Sequence, residues 1–140
     1  MWDSVFVVSV FDHWLSEAEA EQCKYMSYGL SVEQHVLQQY LVGEAKFLDF
    51  YLPLFDESCE KENKKVNFHE YKVAIINSLR EQKMMNICLS NGKLKLQGGF
   101  DRTDYLFVEK SLIPEIIKKL EISQLHILEV ISDQDYLKEQ

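Results

Sequence analysis

Two short runs of alternating polarity meet at Asn91-Gly92, and no other feature narrows the fold of this chain as far. Met85, Ile87 and Leu89 alternate with Asn86, Cys88 and Ser90; after the Asn-Gly pair, Leu94 and Leu96 alternate with Lys93, Lys95 and Gln97. A period of two is the repeat of a strand with one buried face, and Asn-Gly supplies two residues that tolerate the positive φ of a tight turn. The pattern predicts an antiparallel hairpin over residues 85–97 with its five apolar residues on one buried face. Gly98-Gly99 should end the second strand, and YLFVE at 105–109 reads as another.

The remaining segments fill in around that hairpin. VFVVSVF at 5–11 reads as a buried strand, although a run this short also fits the first turns of a buried helix. Ser16-Glu17-Ala18-Glu19 and Ser31-Val32-Glu33-Gln34 match the capping-box pattern, and Gly29 is placed to stop a first helix. From Ser31, the residues Val36, Leu37, Tyr40, Leu41, Phe47, Leu48, Tyr51 and Leu52 recur at helical spacing, predicting one long helix that Gly43 can bend and Pro53 ends. Residues 56–67 form an exposed charged loop. Phe68, Tyr71, Ile75 and Leu79 mark a further helix. Ser111 as a cap with Pro114 in the first turn starts the last helix, LHILEVI at 125–131 makes a last buried strand, and the tail from Ser132 is polar. The expected architecture is a single α+β domain spanning 1–140. Its helical N-terminal half packs on a mainly antiparallel sheet from the C-terminal half, with residues 5–11 as an extra strand.

Charge is distributed very unevenly along this order. Residues 1–60 hold eleven Asp and Glu against Lys24 and Lys46, a net of −9, and residues 61–140 hold twelve acids against thirteen Lys and Arg, a net of +1; together these give the chain its −8. The acidic portion also carries six of the nine Trp and Tyr residues: Trp2, Trp14, Tyr25, Tyr28, Tyr40 and Tyr51. On a helix an acid is neutralised by a cation three or four residues away, and apart from Glu21 with Lys24 most of these acids have no such neighbour. Such a face either keeps the protein soluble or awaits a cationic partner, for which field complementarity speeds encounter and aromatic residues supply anchors. On the second reading the partner-binding residues are Trp14, Glu17, Glu19, Glu21, Tyr25, Tyr28, Glu33, Glu44, Asp49, Asp56 and Glu57.

Catalytic and metal signatures do not assemble. His13, His35, His69 and His126 fall at no ligand spacing, and Val73 stands where a zinc-protease helix beginning at His69-Glu70 needs its second His. Cys23, Cys59 and Cys88 are odd in number and widely spaced, which suits free thiols in a reducing compartment and predicts a cytoplasmic protein without metal or cofactor. Gly98-Gly99-Phe100-Asp101-Arg102 lacks the Lys-Ser/Thr ending of a phosphate loop and is better read as a bulge or turn. No apolar stretch near the start approaches a membrane span, and the acidic balance opposes direct nucleic-acid binding, which draws on Lys and Arg.

In size and acidity the chain resembles, as a broad class, the immunity proteins that bacteria make against nuclease toxins, including contact-dependent growth inhibition toxins. That resemblance implies a non-enzymatic cytoplasmic inhibitor or antitoxin that masks a basic protein partner. An acidic phage-encoded inhibitor that mimics nucleic acid follows from the same physics. Two other classes stay open: an interaction module or subunit whose acidity serves solubility, and a small hydrolase using Cys88 or a histidine.

Overall fold

The computed structural model describes residues 2–132. In chain order they form β1 (Ser4–Ser9), α1 (Glu17–Gln22), α2 (Tyr28–Glu33), α3 (Leu37–Tyr51), β2 (Glu60–Lys61), β3 (Lys64–Lys65), α4 (Phe68–Leu79), β4 (Asn86–Leu89), β5 (Leu94–Gln97), β6 (Thr103–Val108), α5 (Ile113–Ile122) and β7 (His126–Ser132). The polar tail expected after Ser132 lies outside the described residues. The strands make one seven-stranded sheet in the order β3-β2-β4-β5-β6-β1-β7, with every neighbouring pair antiparallel. The fold is α+β, with three helices in the N-terminal half and most strands in the C-terminal half.

The alternation around Asn91 does form a hairpin, and Met85, Ile87, Leu89, Leu94 and Leu96 are all buried. Leu89 pairs with Leu94, so the connection is the four-residue loop 90–93 and not a two-residue turn. Ser90 joins Asn91 and Gly92 at positive φ. The extra residues are held from outside the hairpin, because Asp56 Oδ2 accepts from Ser90 N at 3.0 Å and Ser58 Oγ accepts from Asn91 N at 2.8 Å.

β1 settles the ambiguity of the N-terminal run. It lies between β6 and β7, and Val5, Phe6, Val7 and Val8 are all buried, which is why the segment shows no alternation: both of its faces are covered. Phe6 and Val8 join Leu94, Leu96, Leu106 and Val108 in the main core against Phe47, Phe50, Tyr51, Tyr71, Ile75, Ile116 and Leu120 of the helices. Val5 and Val7 join Phe107 and Ile131 in a smaller cluster on the other face, against Trp2 and Leu128. β7 is an edge strand, more exposed than a buried strand, and a bulge shifts its register on β1 between Val7 and Val8.

Several local expectations change. The long helix from Ser31 is two helices, α2 and α3, separated at His35, which has φ 59°. Ser31 caps nothing: it is buried within α2 and its hydroxyl donates to the Tyr28 carbonyl, while Ser27 caps that helix by accepting from Leu30 N. Gly29 lies inside α2 rather than after a helix, and α3 continues through Gly43. Residues 56–67 include the small β2–β3 hairpin and the fully buried Cys59, so this loop is partly built into the sheet. Ser111 does not cap α5; its hydroxyl donates to Glu109 in the turn before the helix.

The box at Ser16 is present in both directions, Ser16 N donating to Glu19 Oε1 and Glu19 N to Ser16 Oγ. α1 has six residues, none buried, so its order depends heavily on that cap. Ser16→Ala is expected to weaken α1 by about 1 kcal/mol. Hydrogen exchange would show this as faster exchange confined to residues 17–23, with the sheet amides unchanged.

Candidate functional site

Two places concentrate the chemistry, an acidic surface at α1 and a cleft beside α3. The first begins where β1 ends. Asp12 and His13 follow the strand, and His13 sits between two carboxylates, 2.6 Å from Asp12 Oδ1 and 2.8 Å from Glu19 Oε2. Hydrogen bonding to Asp12 and then Glu19 raises the His13 pKa; His13 in turn lowers Asp12, and the Ser16 backbone N–H, followed by His13, lowers Glu19. Trp14 is next in the chain and 55 % exposed. It borders a cleft of about 150 Å³ with His13, Leu15, Ala20 and Met26. Glu17 and Glu21 project from α1, exposed and without a Lys or Arg partner among the described residues. The Glu21–Lys24 pair expected from spacing does not form, because α1 ends at Gln22 and Cys23 is already extended.

The other predicted partner residues do not share this surface equally. Glu33 and Asp49 are exposed on α2 and α3. Tyr25 and Tyr28 are half-buried; Tyr25 packs on Phe11, and Tyr28 packs edge-on against Tyr40 with the Arg80 guanidinium 4.3 Å above its ring. Glu44 is not a surface acid. It is 5 % exposed and accepts from Arg80 Nε at 2.8 Å and Nη2 at 3.1 Å, a pair that ties α3 to the end of α4. Asp56 is committed to Ser58 and Ser90, where it organises the β4–β5 loop, and Glu57 lies beside it at a separate cleft with Lys65 and Cys88. Burial removes Glu44 from any docking surface, and local hydrogen bonding explains Asp56 without a partner.

The second place was not legible as a site. The β5–β6 connection ends in a tight turn, Thr103 N donating to the Phe100 carbonyl at 3.2 Å, with Asp101 and Arg102 both at φ 59°. The glycine-rich stretch is thus a turn, as expected, but Arg102 does not point to solvent. It is 8 % exposed, and its guanidinium donates to the Tyr25 carbonyl at 3.3 Å and the Tyr40 carbonyl at 2.9 Å while lying 4.6 Å from the Tyr40 ring centroid. Its own carbonyl accepts from Ser9 Oγ at 2.8 Å. The guanidinium passes over Gly43, where any Cβ would overlap it. It ends on the wall of a cleft of about 370 Å³ whose other walls include Phe11, Tyr25, Val42 and Lys46.

Behind the same turn, Asp104 is fully enclosed and accepts from the Tyr51 hydroxyl at 2.6 Å and from Gly99 N at 3.1 Å. Burial pushes its carboxyl up to about 6. Burial pushes the Cys59 thiol up to about 12 and raises Cys88 as well, the opposite of activation at both. Among the described residues no group of three or more His, Cys, Asp and Glu could hold a metal ion, and no helix is long and apolar enough to cross a membrane. Comparison with protein-family models, curated proteins and solved structures found no match to this chain.

Proposed function

We propose that this chain is a non-enzymatic inhibitor of the bacterial immunity-protein kind, a cytoplasmic protein that binds and masks a basic protein, with a nuclease toxin as the partner class. The observation that carries the reading is the α1 surface: Glu17 and Glu21 are exposed and, among the described residues, without Lys or Arg partners, next to the half-exposed indole of Trp14. Like charges without a cationic neighbour repel one another and gain when a cation-rich surface arrives. An adjacent indole supplies large contact area with few rotatable bonds. Burial raises the Cys88 thiol, the nucleophile a hydrolase would draw on, away from activation.

Glu19 complicates the obvious test, because it closes the capping box as well as carrying charge. Reversing Glu17, Glu19 and Glu21 together would disturb α1 itself. Glu17→Lys with Glu21→Lys leaves the cap intact. Against a basic nuclease toxin as partner, this pair is expected to slow association by about tenfold or more at low salt, with little change in unfolding temperature. The wild-type rate should fall steeply as salt rises, since steering is screened beyond ~8 Å at physiological ionic strength. An unchanged on-rate, together with partner contacts confined to residues 61–140, overturns the reading.

A further inference from the structure

We infer that the cleft between α3 and the β5–β6 turn is a binding site for a small organic oxyanion, a carboxylate or phosphate monoester carrying an apolar group, with Arg102 and Lys46 holding the anion and Phe11, Tyr25 and Val42 its body. The inference is independent of the basic partner and of the α1 surface. It starts from a local conflict: both central positions of the turn have positive φ, where Gly or Asn is favoured, yet the second is Arg102. It continues in α3, where a glycine that weakens a helix interior is required at position 43 because a Cβ would collide with the Arg102 guanidinium. Turn and helix each give up local stability to accommodate one cation.

Among the described residues no carboxylate lies within ion-pair distance of Arg102. The nearby acids are engaged elsewhere: Glu44 pairs with Arg80, and Asp104 accepts from Tyr51 and Gly99. A guanidinium carries five N–H donors, and Arg102 gives two hydrogen bonds, both to backbone carbonyls. Lys46, one turn along α3 from Gly43, lines the same cleft and has no ion pair among the described residues. Two cations line one cleft, neither in an ion pair among the described residues, and like charges sharing a cleft favour an anion between them. The planar guanidinium fork suits a carboxylate or a phosphate, and the cleft volume of about 370 Å³ falls within the range of small-molecule sites.

The probes are phenylacetate, phenyl phosphate and inorganic phosphate, with neutral phenylacetamide as the control. Each is titrated into the isotopically labelled full chain while the Arg102 side-chain Nε–H resonance is followed. Saturable shifts are expected at up to about 20 mM phenylacetate or phenyl phosphate, with dissociation constants near ~1 mM, and phenylacetamide should bind at least ~10-fold more weakly. The tighter of the two aromatic anions identifies the head group. Lys46→Glu and Val42→Asp, both on the α3 surface away from the guanidinium's hydrogen bonds, should each weaken binding by about tenfold while the far-ultraviolet spectrum is unchanged. The inference is overturned if neither aromatic anion gives a saturable shift, if phenylacetamide binds as tightly as phenylacetate, or if inorganic phosphate matches phenyl phosphate, since Arg102 would then be only a staple between two loops or a bare charge trap.

Discussion

Gly43→Ala should destabilise this protein by about 2 kcal/mol, although a Gly-to-Ala change inside a helix ordinarily stabilises by up to about 1 kcal/mol. The sign is set by Arg102. A Cβ at position 43 would occupy the space of the guanidinium, which must then leave its bonds to the Tyr25 and Tyr40 carbonyls. Hydrogen bonds to a charged group contribute about 1.5–3 kcal/mol, enough to outweigh the gain in propensity. Removing the obstacle should restore the ordinary sign: in an Arg102→Ala background, Gly43→Ala is expected to stabilise by about 0.5–1 kcal/mol. Urea denaturation of the four proteins in this cycle measures the coupling directly, provided the slope with denaturant stays constant. If Gly43→Ala stabilises the protein with Arg102 in place, the guanidinium is not locked against α3, and the picture of a helix shaped around it is wrong.

Sequence legibility followed the range of the interactions. The hairpin was readable because alternation and Asn-Gly both lie within residues 85–97, and burial of Met85, Ile87, Leu89, Leu94 and Leu96 follows from that pattern alone. Its loop length was not readable, because Ser90 and Asn91 are fixed by Asp56 and Ser58, more than thirty residues earlier. The break between α2 and α3 was hidden by apolar spacing that continues across it. At the start of α2, Ser27 is the cap, and the Ser31 hydroxyl expected to cap a helix bonds back to Tyr28 within it. Glu44 looked like a surface acid because no Lys or Arg follows at three or four residues; its partner, Arg80, comes from the far end of α4. Arg102 was the hardest case. Its acceptors lie 62 and 77 residues away, and the glycine that admits it reads locally as a weak point in a helix. A signal was nevertheless present: an arginine follows a Gly-Gly turn that has no structural need of it, and such local inconsistencies concentrate at sites.

Asp104 should make stability fall as pH rises from about 4 to 7, by about 3 kcal/mol relative to an Asp104→Asn variant. The sign follows from the proton balance. Burial raises this carboxyl in the folded protein to about 6, against 3.8 for an ordinary Asp, while its hydrogen bonds from Tyr51 and Gly99 act the other way. Below the ordinary value both folded and unfolded chains are protonated and the group contributes no pH dependence. Between the two values the folded chain binds the proton and the unfolded chain has lost it, so each step up in pH favours unfolding. Above about 6 the whole cost is present. Asn at 104 does not titrate, so the wild-type minus variant difference, measured by urea denaturation across this range, isolates Asp104 from the exposed carboxylates. The Asn amide accepts one of the two hydrogen bonds and leaves one donor without its acceptor, which displaces the curve without tilting it. A difference that is flat from pH 4 to 7 would mean that Asp104 ionises with its ordinary affinity in the folded protein. The expected slope ties the carboxylate to the turn it anchors: near neutral pH, ionised Asp104 holds Gly99, and Arg102 enters the protein from the same turn. Two buried charges lie two residues apart in the chain, and neither neutralises the other through an ion pair. Folding stability alone favours apolar residues at both positions, but only Arg102 reaches the cleft beside α3; Asp104 lies behind the turn, where its carboxylate fixes Gly99 and Tyr51.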